Sequence, residues 1–107
     1  MGTPLRQLQK RSASSVELVL AYADAMIALD TLESSGASVL GWEGWLRHSD
    51  GRLGHSAKHQ GTVDLSGLSR SGVYTLCRTT IRDAHAAHLA APEALGADLL
   101  FCLTHDS

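Results

Sequence analysis

The stretch Val39-Leu40-Gly41-Trp42-Glu43-Gly44-Trp45-Leu46-Arg47-His48-Ser49-Asp50-Gly51-Arg52-Leu53-Gly54-His55 decides how this chain folds. Side chains alternate across a strand. Alternation puts Leu40, Trp42 and Leu46 on one face, and Val39, Glu43, Trp45 and Arg47 on the other. Ser49-Asp50-Gly51 has the chemistry of a hairpin turn, with Gly51 supplying the positive φ that closes such loops. The segment therefore predicts a hairpin of strands over 38–48 and 52–56. With His48 opposite Arg52, Trp45 falls opposite His55. Gly41 and Gly44 weaken a regular strand and mark a bulge or a close backbone approach.

Working outward, Ser14 followed by Glu17 forms a capping box, and Val16–Leu32 is rich in helix formers. Val16, Val19, Leu20, Ala23, Met26 and Ile27 recur at helical spacing, so a helix is predicted over 15–34, with Gly36 suited to its left-handed cap. A second helix is predicted over 70–91. Val73, Leu76, Cys77, Thr80, Ile81, Ala84 and His88 form its inner face, Arg78, Arg82 and His85 lie on another, and Pro92 closes it. Residues 97–104, Ala-Asp-Leu-Leu-Phe-Cys-Leu-Thr, are too apolar for an edge and read as a central strand, buried on both faces or twisted. Residues 1–12 are polar and read as a loose tail, and 56–69 as a long loop. The expectation is one α+β domain over 1–107. A three-stranded, mainly antiparallel sheet is covered on one face by two helices in the order α-β-β-α-β.

Composition agrees with a folded domain of this size. At 107 residues, 44% hydrophobic and 19% charged, the chain can bury roughly two-thirds of its unfolded surface. A net charge of −2 argues against direct nucleic-acid binding. No apolar run approaches the ~20 residues of a membrane helix, and no apolar segment follows the basic residues near the start. Cys77 and Cys102 sit inside apolar patterns and read as buried reduced thiols, which with the absence of a leader points to the cytosol. The charge is uneven. Between Arg11 and Arg47 there is no Lys or Arg, while Glu17, Asp24, Asp30, Glu33 and Glu43 fall there; residues 47–82 carry most of the arginines.

Few residues carry chemistry. His55 and His59 are four apart and His48 lies across the hairpin, but no third ligand is indicated, so no metal is expected. Glu43, Asp50, His48 and His55 have the residue types of acid–base catalysis, without a Ser or Cys nucleophile in matching surroundings. No glycine-rich phosphate loop is present, and no cofactor is expected. Trp42 and Trp45 are two of only five aromatic residues. One must anchor the core; the other is then exposed between Glu43 and Arg47 and facing His55, an arrangement favoured at protein–protein contacts.

Gly41-Trp42-Glu43-Gly44-Trp45, the turn Asp50-Gly51-Arg52, Gly54-His55-Ser56 and Gln60-Gly61-Thr62 together resemble small immunity proteins of bacterial toxin–immunity systems. These include the inhibitors of contact-dependent growth inhibition toxins and of other polymorphic toxins. The similarity covers about residues 37–68 and, more loosely, the flanking helices. It implies a cytosolic protein without enzyme activity that binds one toxin domain, commonly a nuclease, and blocks its active site.

That implication fits the charge pattern, because carboxylates can imitate the polyanion that a nuclease cleft binds and can steer encounter. The expected partner surface comprises Glu43, Trp45, Arg47 and His55 of the hairpin, with Asp24, Asp30 and Glu33 contributing from the first helix. The alternative is a small enzyme, or a ligand- or metal-binding domain, built on the hairpin histidines.

Overall fold

The computed structural model describes residues 4–60, 67–91 and 96–106. Helix α1 (Leu5–Arg11) is followed by strand β1 (Leu18–Leu20), helix α2 (Tyr22–Ser34), strands β2 (Ser38–His48) and β3 (Leu53–Gln60), helix α3 (Arg70–Leu89) and strand β4 (Ala97–Asp106). The strands form one antiparallel sheet in the order β1-β4-β2-β3. This is the expected α+β architecture with one strand more than anticipated.

The added strand comes out of the predicted first helix. Ser14 Oγ does accept the Glu17 amide at 3.1 Å, but the turn it closes leads into β1 and not into a helix. Ser12 Oγ completes that turn, donating to the Glu17 carbonyl and accepting from the Val19 amide. Leu18, Val19 and Leu20 are then buried in a row, Leu18 and Leu20 toward the helices and Val19 on the opposite side of the sheet. Pairing with Phe101–Leu103 of β4 overrides the local helical preference. Val16, expected on the helix's inner face, is 88% exposed.

Residues 1–12 also depart from expectation. Pro4 precedes α1, whose Leu8 is fully buried in the main core, while Lys10 and Arg11 lie in its last turn. Leu8, with Leu5 packed against the same core, docks what otherwise reads as a polar tail.

Helix α2 ends in a Schellman motif. Gly36 has φ +83°, and the Ala37 and Gly36 amides donate to the Leu32 and Glu33 carbonyls. Arg70 reaches the same end and donates to the Leu32, Glu33 and Ala37 carbonyls. In α3 the Ser69 hydroxyl accepts the Gly72 amide, an N-cap that starts the helix where its sequence places it.

The hairpin forms in the predicted register, with the His48 amide donating to the Arg52 carbonyl and Trp45 opposite His55. Two bulges modify it. Leu40 is an extra residue between Val39 and Gly41, so Val39 turns into the core and Leu40 outward, the reverse of simple alternation. Beyond Trp45, residues 56–59 lie opposite the single Gly44. Strand β3 therefore continues to Gln60, through the start of the predicted 56–69 loop; residues 61–66 of that loop lie outside the described residues, as does Pro92. A Cβ at Gly44 would collide with the His59 backbone carbonyl, which is the close approach that requires glycine.

Strand β4 is interior, as its composition demands. Leu99, Phe101 and Leu103 join the main core with Leu29, Leu32, Trp42, Tyr74 and Ile81, beneath the helices. Trp42 meets Phe101 edge-on at 5.3 Å and donates its Nε1 to Thr80 Oγ1 at 2.9 Å. On the other face Leu100, Cys102 and Val19 form a small second cluster, against which Ala13 and Trp45 pack. Cys77 and Cys102 are both buried free thiols. No helix among the described residues is long and apolar enough to cross a membrane.

Candidate functional site

The sheet face opposite the helices carries the hairpin residues. Reading along β2, Glu43, Trp45 and Arg47 lie opposite Cys102, Leu100 and Asp98 of β4. Trp45 is half-buried and not the freely exposed side chain expected. Its ring lies on the Val19–Leu100–Cys102 cluster, and His55 packs against it at 4.8 Å with the rings inclined by 49°. The indole Nε1 is enclosed without a hydrogen-bond partner among the described residues. His55 Nδ1 stands 3.5 Å from Glu43 Oε2, and Arg47 Nη2 is 3.4 Å from Asp98 Oδ2. The four hairpin residues thus form one patch: an aromatic centre with a carboxylate on one side and a guanidinium on the other.

The three acidic residues of α2 do not join it. They belong to the helical layer, across the sheet from Trp45, and each already has a cation. Asp24 pairs with Arg11 at 3.0 Å. Asp30 and Glu33 both receive Arg78 Nη2, at 2.8 and 2.7 Å. Arg78 of the basic half thus neutralises two of the α2 carboxylates within the fold. Arg78 is spent on this pairing and on the face of Tyr74, 5.6 Å away.

The hairpin histidines are separated as well. His55 sits with Trp45, whereas the β3 bulge carries His59 to the helical side, where its ring is 6.2 Å from His88. His88 is buried and bonds the Ala97 carbonyl, and His85 stacks flat on Tyr22 at 4.1 Å. Burial, followed by the charge of His88, lowers the His85 pKa from its ordinary value. Among the described residues no group of three or more His, Cys, Asp or Glu is arranged to hold a metal ion.

Sequence reasoning did not single out Glu17 and Cys102 as neighbours of the patch. Cys102 Sγ donates to Glu17 Oε2 at 3.5 Å, and the thiol pKa is pushed up to about 12, first by burial and then by the negative charges of Glu17 and Glu43. Their sequence separation hides this contact; only the pairing of β1 with β4 creates it. No family model, curated protein or solved structure matches this chain.

Proposed function

We propose that this chain works by binding another protein, and that the partner is a cytotoxic toxin domain, a nuclease by expectation, which it neutralises in the cytosol as an immunity protein. The observation that carries the reading is the Trp45 patch. A half-buried indole, ringed by Glu43, Arg47 and His55, lies on the sheet face that α1, α2 and α3 leave uncovered. Aromatic anchors with polar rims are where protein interfaces concentrate their binding energy. The toxin as partner rests on the resemblance of residues 37–68 to immunity proteins.

Because Asp24, Asp30 and Glu33 each pair with an arginine, this reading places the main contact on the hairpin side. The division of His55 and His59 between the two faces weighs against the alternative built on the hairpin histidines. Co-expression with the product of the neighbouring gene tests the reading. A stoichiometric complex that protects cells supports it, and failure of that product to bind or to be neutralised contradicts it.

A further inference from the structure

We propose that the cleft where β4 runs past the end of β1 takes an extended segment of the protein partner, which pairs through its backbone with Leu99. This inference rests on the protein-binding reading and gives the partner a second contact beside the hairpin patch.

Strand β1 stops at Leu20, opposite Phe101, whereas β4 begins four residues earlier at Ala97. In an antiparallel strand the N–H and C=O of one residue point to one side, and those of the next residue to the other. Two sets of bonds fix the side that Leu99 uses. The His48 amide donates to the Arg52 carbonyl, so Leu46 also turns toward β3, and Trp45 and Arg47 turn toward Leu100 and Asp98. Leu99, between those two, therefore points away from β2. From the other edge, the Val19 amide donates to Ser12 Oγ and its carbonyl accepts the Ala13 amide. Leu18 and Leu20 thus face Leu103 and Phe101 of β4, and Leu99 alternates in step with them on the β1 side. Ala97 alternates likewise, and its carbonyl bonds His88 Nε2 at 2.9 Å. No turn, cap or loop backbone bond among the described residues reaches the Leu99 N–H or C=O.

A cleft of about 250 Å³ lies at this edge. Its walls come from both sides of the sheet: Arg47 and Leu100 from one face, and Tyr22, His85 and Leu89 from the helical layer. A space bounded in this way lies in the plane of the sheet, in line with β1. Leu99 lines it and is only 5% exposed, and a backbone donor and acceptor so little solvated call for partners. A peptide unit of the partner supplies one of each. Arg47 and Asp98 offset each other at 3.4 Å, so the cleft holds no surplus charge for an ion. Opposed residues of antiparallel strands put their side chains on the same face. A residue paired with Leu99 therefore directs its side chain toward Tyr22, His85 and Leu89, which suits an apolar or aromatic group. Main-chain bonds with a side-chain pocket beside them are the elements of strand addition at a sheet edge. Leu100 also packs with Trp45, so one partner surface can cover both contacts.

The test uses N-acetyl-phenylalanine N-methylamide as the probe and its Nα-methyl counterpart, which lacks the donor, as the control, followed by amide NMR on the whole chain. The probe is expected to shift the Leu99, His85 and Leu89 amides saturably, and the control to leave them in place. Leu89 is 64% exposed, so Leu89→Glu keeps the fold; it is expected to weaken probe binding roughly tenfold or more. Equal shifts from the control, no saturable shift at these amides, or an unchanged response in Leu89→Glu would each overturn the proposal. A second arm measures the affinity of Leu89→Glu for the neighbouring gene's product, where a loss of roughly tenfold is expected. If that product binds with unchanged affinity, the cleft proposal fails and the inhibitory reading stands. If the probe seats as expected and the product does not bind the parent, the cleft stands and the inhibitory reading falls.

Discussion

Trp45 and His55 face each other across the hairpin with ring centroids 4.8 Å apart, and the Trp45 indole N–H has no hydrogen-bond partner among the described residues. Trp42, three residues earlier, is the opposite case: 3% exposed, and donating to Thr80. Replacing each with phenylalanine therefore separates them. Trp42→Phe loses a buried hydrogen bond and leaves a void, and should cost about 2–3 kcal/mol of stability. Trp45→Phe removes a donor that is already unsatisfied, and should cost less than about 1 kcal/mol. Urea denaturation of the two variants measures the difference.

Gly44 and Gly54 make a second matched pair. A Cβ at Gly44 meets the His59 backbone, whereas one at Gly54 meets nothing within 4 Å. Gly44→Ala should destabilise by roughly 2 kcal/mol or more because backbone must move, and Gly54→Ala should stay within about 0.5 kcal/mol of the parent. Equal thermal midpoints for the two would contradict the β3 bulge as described.

The hairpin register and the interior position of β4 were legible because their signals are local and agree with the tertiary demand. The turn at Ser49-Asp50-Gly51 fixes Trp45 against His55, and an apolar run such as Leu99–Leu103 needs cover on both sides. What was not legible depended on distant partners. Leu18–Leu20 follows a sound capping box and is taken by the free edge of β4. Leu40 and Val39 exchange faces through a bulge that alternation alone does not reveal, although Gly41 marks its neighbourhood. The hairpin pattern also shows that Trp45 and His55 are neighbours, since the turn sets their register. The pairing of Asp30 and Glu33 was not legible, because the arginine that meets them arrives from α3.

Arg78 should accordingly matter to stability. Its side chain is 28% exposed, and its guanidinium meets Asp30, Glu33 and the Tyr74 ring. Arg78→Ala leaves two neighbouring carboxylates facing each other and should cost about 1–2 kcal/mol, an effect that shrinks in high salt. Arg82, exposed and 3.8 Å from its sequence neighbour Asp83, should tolerate alanine within about 0.5 kcal/mol. Denaturation curves at low and high salt compare the two.

Alkaline pH should weaken the fold through Cys102. Its thiol pKa stands at about 12 against an ordinary 9.0, so the native state holds its proton where the unfolded chain releases it. Stability from this group is complete below pH 9 and falls as pH rises toward 12. Cys77, also raised by burial, adds to the same loss. Cys102→Ala should flatten the stability profile over that window, and iodoacetamide should label the native parent slowly at pH 8. Rapid native labelling of Cys102 would refute the assignment.

The central claim, that the hairpin face binds a toxin domain, is tested most directly by calorimetric affinity for the neighbouring gene's toxin product, comparing the parent with Trp45→Ala. Truncating a central tryptophan typically costs 2 kcal/mol or more, so the folded variant should bind roughly thirtyfold more weakly or worse and protect cells poorly. A folded Trp45→Ala variant that binds and protects as the parent does would contradict the account.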